Sequence, residues 1–245
     1  MYEFFFYNRL DSSTFALMKN VTKFWFLKNF NLFKKMGKKN LMDMCHLLEM
    51  INVKKGETLY LNRNDKSIVY FIKSGSIKIV TNKTEHTQAI IQMGNIFGAL
   101  ALYEDVESTN NNKEKTIVLE DGVVCVIESE QMKMIIENYS SLKNQLLKLY
   151  GLRIRKLQRN LEDLLYKDSE TRIKEFILNY IQEFGKEKDG LLKAKNLLSH
   201  KDIAQLTNTS RQTASNVLSK LRKEGVIDYN SKEIFIQNSF IVAHN

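Results

Sequence analysis

The hydrophobic pattern of this chain changes its period near residue 130, and that change most constrains the fold. Between Val53 and Ile127 the apolar residues fall in short β-rich runs separated by glycines, whereas after Glu130 they recur every three or four residues. Short strands with glycine at their turns predict an antiparallel double-stranded β-roll of jelly-roll type, because a parallel sheet would need helices between its strands. The helical period predicts a mainly helical second half. The expected fold class is α+β.

Six β-rich runs are expected to form the strands of the roll, and short helices from Phe30 to Met50 are expected to lead into it. The runs are Thr58–Leu61, Ile68–Ile72, Ile77–Thr81, Ala89–Met93, Ile117–Leu119 and Val123–Ile127.

A long helix is predicted behind the roll, over residues 130–165. Its apolar residues recur at steps of three and four and form one stripe: Leu142, Leu146, Tyr150, Ile154, Leu157, Leu161 and Leu164. A stripe of this length is typical of a coiled-coil seam. A single roll cannot cover a helix of about 45 Å, so we expect a second copy of the chain to cover it. A core helix within a monomer is the alternative.

Residues 199–208 have the pattern of the first half of a helix-turn-helix. Ser199 and Asp202 are spaced as a capping box, which predicts that a short helix begins there. Asn208 follows this helix, and asparagine is one of the few residues that tolerate the left-handed conformation of a tight turn.

A second helix is expected to start directly after the turn, with Thr209 or Ser210 as its N-cap, and to end at Gly225. Two short runs, Val226–Tyr229 and Ile234–Ile236, then predict a β-hairpin beside the helix. The helix, turn, helix and hairpin together form a winged helix-turn-helix.

The second helix is predicted to turn a polar face outward and to bury Ala214, Val217, Leu218 and Leu221. An arginine side chain can donate two hydrogen bonds to the edge of guanine, and glutamine or asparagine can form two hydrogen bonds with the edge of adenine. This polar face is therefore suited to reading bases in the major groove. A helix N-terminus is in addition suited to a phosphate. The expected DNA-binding residues are Ser199, His200, Lys201, Ser210, Arg211, Gln212, Thr213, Ser215, Asn216 and Lys220.

The charge of the chain favours a polyanionic partner. The sequence has 37 Lys and Arg against 28 Asp and Glu, a net charge of +9, which favours nucleic acid first and anionic lipid second. No run of apolar residues approaches the length of a membrane helix, so we expect no membrane partner.

Metal, haem and iron–sulfur cofactors are not expected, and the identity of any other cofactor is open. Cys45 and Cys125 lie 80 positions apart and match no ligand spacing, and the four histidines share none either. The two cysteines could form a redox pair only if the fold brought them together.

Several motifs in their order resemble the Crp/Fnr family, the relatives of the cyclic-AMP receptor protein. The roll is similar to the family's cyclic-nucleotide-binding domain through Val53–Glu57, Val69–Lys78 and Gly94–Gly98. The C-terminal end is similar to its DNA-binding domain through Leu198–Ala204, Thr209–Thr213 and Leu218–Ile227. The resemblance covers residues 30–238. It implies a cytoplasmic homodimer that binds a palindromic operator in double-stranded DNA, with RNA polymerase as a further partner.

The resemblance also assigns roles within the recognition helix. Arg211 stands where the family has its principal base-reading arginine, Gln212 where many members have glutamate, and Asn216 where the cyclic-AMP receptor has a further arginine. The half-site preference is therefore expected to differ from that of the receptor.

In the roll, the resemblance points to an effector pocket that departs from the cyclic-AMP pattern. Members that bind cyclic AMP have Gly-Glu-Leu for the ribose and a later Arg-Ser for the phosphate. This chain has Gly98, Ala99 and Leu100 at the first motif, and Lys113, Lys115 and Thr116 in the later stretch. Without that carboxylate and that arginine, the roll is not expected to bind cyclic AMP in the usual way.

The sequence divides into an aromatic N-terminal extension (1–29, with Met18 a plausible start), the β-roll sensor (30–129), the dimerisation helix (130–165) and the winged helix-turn-helix domain (166–245). The expected function is transcription regulation by DNA binding, without enzymatic activity. One alternative is a cupin-like metalloenzyme with a helical dimerisation end, although His86 is the only histidine between Val53 and Ile127, where the strands are predicted. Docking of RNA or of another protein to the winged helix is a second alternative.

Overall fold

The computed structural model describes residues 22–63, 66–81, 84–98 and 114–237, which form two compact units. The first unit takes the described residues of Met1–Lys83 and Ile90–Arg153, and the second takes those of Thr84–Ala89 and Ile154–Asn245.

The first unit contains the predicted double-sheet roll. Within the described residues, one sheet has five strands in the order β1 (Glu49–Val53), β9 (Gly122–Glu128), β4 (Lys66–Ser74) and β3 (Asn62–Arg63), with β7 (Ile96–Gly98) also paired to β4. The other, within the same residues, has four strands in the order β2 (Thr58–Leu59), β8 (Glu114–Val118), β5 (Ser76–Thr81) and β6 (Thr87–Gln92). Antiparallel ladders join β1 to β9, β9 to β4 and β5 to β8. The strands β1, β3 and β7 were not predicted from the sequence.

Strand β4 is buried on both faces and therefore links two cores. Ile68, Tyr70 and Ile72 point into the roll, where the Tyr70 ring stacks on Phe97 with centroids 4.7 Å apart. Val69 and Phe71 point the other way, into a core made with the surrounding helices. A strand covered on both faces has an unbroken apolar run instead of alternation, which is the pattern of this segment.

Helices cover the outer face of the five-stranded sheet. They are α1 (described over 22–29), a 3-10 turn (Asn31–Phe33), α2 (Lys38–Leu47), α3 (Ser129–Asn138) and the first turns of α4 (Ser140–Tyr166). Phe24, Leu27 and Phe30 are buried in this core, and the Phe30 ring centroid lies 5.4 Å from that of Phe71. The expected boundary at residue 30 is therefore wrong for residues 22–29, which belong to the packed unit. Met18 and the rest of 1–21 lie outside the described residues.

The helix expected over 130–165 is two helices. Tyr139 is extended, with φ −127° and ψ 98°, and separates α3 from α4. Helix α3 buries Met132, Ile135 and Ile136 against the roll, and the chain has to turn before α4 can leave it. No glycine or proline marks this break, so the apolar period alone did not reveal it.

Within its described residues, the second unit holds the part of α4 from Ile154 onward, three further helices and a sheet. They are α5 (Ser169–Phe184), α6 (His200–Leu206) and α7 (Arg211–Lys223), with strands in the order β10 (Lys186–Lys188), β11 (Leu191–Lys195), β13 (Glu233–Gln237) and β12 (Asp228–Tyr229). The β12–β13 hairpin is the predicted wing, whereas the β10–β11 hairpin was not predicted. Tyr180 on α5 donates a hydrogen bond to the Lys195 carbonyl at 2.8 Å, which ties α5 to β11.

Candidate nucleic-acid interface

Local capping bonds form the helix-turn-helix. The Ser199 hydroxyl accepts from the Asp202 backbone N–H at 3.1 Å, and the Asp202 carboxylate accepts from the Ser199 N–H at 3.0 Å, so the predicted capping box is confirmed. Asn208 has φ 52° in the turn, as predicted. Of the two candidates, Ser210 is the N-cap of α7, and its hydroxyl accepts from the Thr213 N–H at 3.0 Å.

The turn is also held by Arg172 of α5, a role that was not predicted from the sequence. Its Nε donates to the Thr207 carbonyl at 3.1 Å and its Nη2 donates to the Asn208 carbonyl at 3.2 Å. The same guanidinium donates to the Lys167 carbonyl at 2.7 Å. Arg172 thus fixes the turn to α5. The contact spans 35 residues along the chain, and nothing in the local pattern around Arg172 indicates it.

Asp202 is anchored a second time within this unit. The segment Thr84–Ala89 groups with the unit by its contacts, and the Thr87 hydroxyl donates to Asp202 Oδ1 at 2.7 Å. The Thr87 N–H donates to Gln205 Oε1 at 2.9 Å. Both Thr87 and Asp202 are buried. These bonds account for a charged residue in the core, since buried carboxylates need hydrogen-bond donors.

Helix α7 presents the polar face that the sequence predicted. Ala214, Val217, Leu218 and Leu221 are buried, as expected. On the opposite side Arg211, Gln212 and Asn216 are exposed, and Thr213 and Ser215 are half-buried. Arg211 has no ion-pair partner among the described residues. We call the exposed Arg211, Gln212 and Asn216 the recognition edge.

Two side chains of the recognition edge are bonded to each other. Gln212 Nε2 donates to Asn216 Oδ1 at 2.9 Å, one helical turn apart. Such a bond stabilises a helix only slightly, by about 0.2–0.5 kcal/mol, but it orients both amides. The two residues thus form one hydrogen-bonding surface.

The basic residues at the far end of α7 are paired. Lys220 Nζ lies 2.5 Å from Glu170 Oε1 of α5, and this carboxylate raises the pKa of Lys220. Arg222 Nε lies 2.7 Å from Asp228 Oδ1, and its guanidinium lies over the Tyr229 ring. At the other end, Lys201 is exposed beside Ser199, while His200 is half-buried against Tyr229. Of the expected DNA-binding residues, Lys220 is thus the one that is already neutralised by a carboxylate.

The apolar stripe that was expected to pair two copies of the chain has a buried part and an exposed part. Leu142 and Leu146 are 2% and 5% exposed because they pack into the core with α1, α2 and α3, so their expected place in a dimer seam is wrong. Ile154, Leu157 and Leu161 are 56%, 67% and 57% exposed. Tyr150 is half-buried against the same core as Leu146. The exposed part of the stripe therefore begins at Ile154.

Three of the expected effector-pocket residues are described, whereas Ala99, Leu100 and Lys113 lie outside the described residues. Gly98 ends β7 with φ 102°, and a Cβ there would lie 2.2 Å from the Ile68 carbonyl oxygen, so only glycine fits. Lys115 and Thr116 lie on β8. The Thr116 hydroxyl is fully buried on the inner face of its strand and has no hydrogen-bond partner among the residues that the structure describes. An unpaired buried hydroxyl in a roll interior is one group that a ligand could satisfy.

Both cysteines are buried in the core with free thiols. Burial raises the pKa of Cys125 to about 11 and also raises the pKa of Cys45. Because the thiolate is the reactive form, this burial makes both thiols less reactive in the folded protein.

Within the described residues, no group of three or more His, Cys, Asp or Glu could hold a metal ion. The helices formed by the same residues lack the length and apolar character needed to cross a membrane.

Two family models match the chain in the order of its units. The model of the cyclic nucleotide-binding domain matches residues 50–139, and that of the Crp-like helix-turn-helix domain matches residues 171–239. The chain belongs to the Crp/Fnr family.

Curated Crp/Fnr regulators are similar along most of their length. The CRP-like cAMP-activated global transcriptional regulator of Mycobacterium tuberculosis is 26% identical over 78% of this chain and 85% of its own. The anaerobic regulatory protein of Bacillus subtilis is 28% identical over 76% of this chain and 79% of its own. The fold is shared with FixK2 from Bradyrhizobium japonicum, at a TM-score of 0.64 and 17% identity over 81% of this chain and 96% of that one.

As a Crp/Fnr protein, the chain is a DNA-binding transcription regulator with a helix-turn-helix, and regulators of this family bind DNA as dimers. Its relatives are regulators and not enzymes. The cupin-like metalloenzyme has no support from the relatives.

Proposed function

We propose that this Crp/Fnr regulator binds an inverted-repeat DNA site as a homodimer, with one α7 helix in the major groove of each half-site. The observation that carries the proposal is the recognition edge: Arg211, Gln212 and Asn216 are exposed together while the other face of α7 is buried. Arginine is suited to guanine, and glutamine and asparagine are suited to adenine. The edge therefore offers sequence readout beyond attraction to phosphate.

Residues beside the recognition edge are suited to the DNA backbone. Ser210 is the N-cap of α7, and Thr213 and Ser215 lie on its first turns, where hydroxyl groups reach phosphates or base edges. Lys201 is exposed at the start of α6, next to Ser199 and His200. Lys220 can contact a phosphate only after its ion pair with Glu170 is broken. We therefore assign Lys220 the smallest share of the affinity for DNA.

The exposed half of α4 supports the homodimer. Ile154, Leu157, Leu161 and Leu164 recur at helical spacing and are all between 42% and 67% exposed. A continuous apolar stripe on one helix is favourable only when another apolar surface covers it, and a second α4 has the matching spacing. Two copies related by a two-fold axis place their recognition helices in half-sites about 34 Å apart.

The roll is proposed to hold a small effector, with Gly98 and Thr116 among the pocket residues. Lys115 is next to Thr116 on β8 and therefore points to the other face of the strand. The unpaired Thr116 hydroxyl supports a ligand in the roll interior. The tripeptide Gly98-Ala99-Leu100 contains no carboxylate for a ribose hydroxyl, which favours an effector other than cyclic AMP. RNA polymerase in the cytoplasm, where the regulator meets DNA, is the proposed further partner.

The test is selection of bound sequences from a pool of random duplex DNA by the full-length protein. We expect enrichment of one inverted repeat, with affinity for the selected site falling steeply as salt rises. Tight binding of the pool without enrichment would contradict base reading by α7. Preference for an RNA pool at equal salt would favour the RNA-docking alternative instead.

A further inference from the structure

The bend between α1 and α2 carries a cluster of exposed lysines. Residues 22–42 contain six lysines and no acidic residue. Lys23 turns inward, where its Nζ donates to the carbonyls of Cys45 and Leu48 at 2.6 and 2.9 Å. The other five lysines are exposed, and we call them the lysine patch: Lys28, Lys34, Lys35, Lys38 and Lys39.

Tight turns with buried apolar side chains hold the lysine patch together. The Phe30 N–H donates to the Leu27 carbonyl at 3.0 Å, and the Phe33 N–H donates to the Phe30 carbonyl at 2.9 Å. The Met36 N–H donates to the Phe33 carbonyl at 2.8 Å. Leu27, Phe30 and Phe33 are buried in the core of the first unit. The lysines between these anchors are therefore kept close to one another at the surface.

The charge of the lysine patch is not neutralised within the described residues, where none of its five members forms an ion pair with a carboxylate. Like charges at short range repel one another, so an anionic surface that covers the patch is favourable. Neither family model reaches the patch, since the two models match residues 50–139 and 171–239. The shared domains of the family therefore assign it no role.

Trp25, the only tryptophan of the chain, lies beside the lysine patch and is 55% exposed. Lys28 Nζ lies 4.9 Å from the centroid of its ring. On the other side of α1, Phe24 and Leu27 are buried. Tryptophan with neighbouring lysines is typical of surfaces that contact lipid headgroups, because the ring favours the boundary between water and acyl chains while the ammonium groups contact phosphates.

Two features favour a lipid surface over a nucleic acid. All five cations of the lysine patch are lysines, whereas arginine is the residue suited to two-point recognition of phosphates and bases. The Trp25 ring is already in contact with the Lys28 ammonium and would have to release it before a base could stack there. A layer of anionic headgroups requires only positive charge and an interfacial side chain.

We propose that the lysine patch and Trp25 bind the surface of a membrane that contains anionic phospholipids. The expectation of no membrane partner rests on the length of apolar runs and concerns spanning, whereas a surface contact needs no spanning helix. Each lysine near such a surface strengthens binding by about fivefold, so the patch as a whole is sufficient for a measurable affinity.

The test adds vesicles to the full-length protein and measures co-sedimentation together with Trp25 fluorescence, which no other tryptophan obscures. The vesicles are either equimolar phosphatidylcholine and phosphatidylglycerol or pure phosphatidylcholine. We expect binding to the anionic vesicles alone, weakened by salt. Trp25 emission should shift to shorter wavelength, and lipids with brominated acyl chains should quench it.

Two variants with equal loss of charge test the location of the contact. The first removes four members of the lysine patch and keeps Lys28 beside Trp25: Lys34→Gln, Lys35→Gln, Lys38→Gln and Lys39→Gln. We expect it to lower the partition coefficient by about 100-fold or more. The second removes four exposed lysines from other parts of the chain and should bind nearly as well as the wild type: Lys148→Gln, Lys156→Gln, Lys186→Gln and Lys188→Gln.

Equal binding to neutral vesicles, equal loss in the two variants, or binding that leaves Trp25 emission unchanged would overturn the proposal. A single-stranded RNA that displaces the protein from anionic vesicles and produces the same shift of Trp25 emission would assign the patch to nucleic acid and overturn it as well. None of these measurements involves operator DNA. Their failure therefore leaves DNA binding by α7 untouched, and failure of operator selection leaves the lipid contact standing.

Discussion

Gln212 donates a hydrogen bond to Asn216 across one turn of α7, with 2.9 Å between Nε2 and Oδ1. Because each amide orients the other, we expect the two residues to read the operator as a pair. Gln212→Ala and Asn216→Ala should each weaken binding to the selected operator by about 1–3 kcal/mol relative to scrambled DNA. The double variant should lose less than the sum.

Gln182→Ala is the matched control for this cycle, since Gln182 is an exposed glutamine on α5, outside the helix-turn-helix. Its operator affinity should not change. Strictly additive losses, or equal losses on scrambled DNA, would show that the pair does not act as one reading surface.

Assembly should depend on the exposed half of the α4 stripe. We expect Leu157→Asp to convert the dimer to a monomer, because a carboxylate in an apolar seam is costly to bury. Arg159 lies on the opposite side of α4 from this stripe, so Arg159→Asp should leave the dimer intact. Sedimentation equilibrium distinguishes the two outcomes, and a Leu157→Asp protein that stays dimeric would place the interface elsewhere.

Arg172 is expected to position the helix-turn-helix without contacting DNA. Arg172→Met leaves the Thr207 and Asn208 carbonyls without their donor, which should lower the free energy of unfolding by about 1–3 kcal/mol. Arg172→Lys should restore only part of the lost free energy of unfolding, since lysine cannot donate to both carbonyls in the same planar geometry. Urea denaturation measures the loss. Unchanged stability in Arg172→Met would mean that the turn is held without it.

Replacement of two buried threonines by valine should change the free energy of unfolding in opposite directions. The Thr116 hydroxyl has no hydrogen-bond partner within the described part of the chain, so Thr116→Val should raise the free energy of unfolding of the ligand-free protein by about 1 kcal/mol. The Thr87 hydroxyl donates to Asp202 at 2.7 Å, so Thr87→Val should lower it by about 1–3 kcal/mol. Urea denaturation of both variants tests the pair, and a loss of stability in Thr116→Val would refute the unpaired state of its hydroxyl.

The sequence predicted those features that depend on neighbours along the chain. The capping box of Ser199 and Asp202, the left-handed Asn208 and the N-cap Ser210 are each set by contacts within a few residues. The buried side of α7 follows from helical period in the same way. The recognition edge could therefore be predicted from the amino-acid sequence alone.

Features that depend on contacts between residues far apart in the chain could not be predicted from the sequence. Arg172 acts on a turn 35 residues away, and Leu142 is covered by helices from elsewhere in the chain, so its apolar spacing equally fitted a dimer seam. The break at Tyr139 lacks a glycine or proline.

The most direct test of base reading by α7 compares wild type, Arg211→Lys and Arg211→Ala on the selected operator and on scrambled DNA at one salt concentration. We predict that Arg211→Ala binds the operator about 5–150-fold more weakly, with scrambled DNA nearly unchanged, because a bidentate contact to guanine is lost. Arg211→Lys should keep the charge and still lose most of the preference for the operator. Equal weakening on both DNAs, or none on either, would contradict an arginine that reads a base.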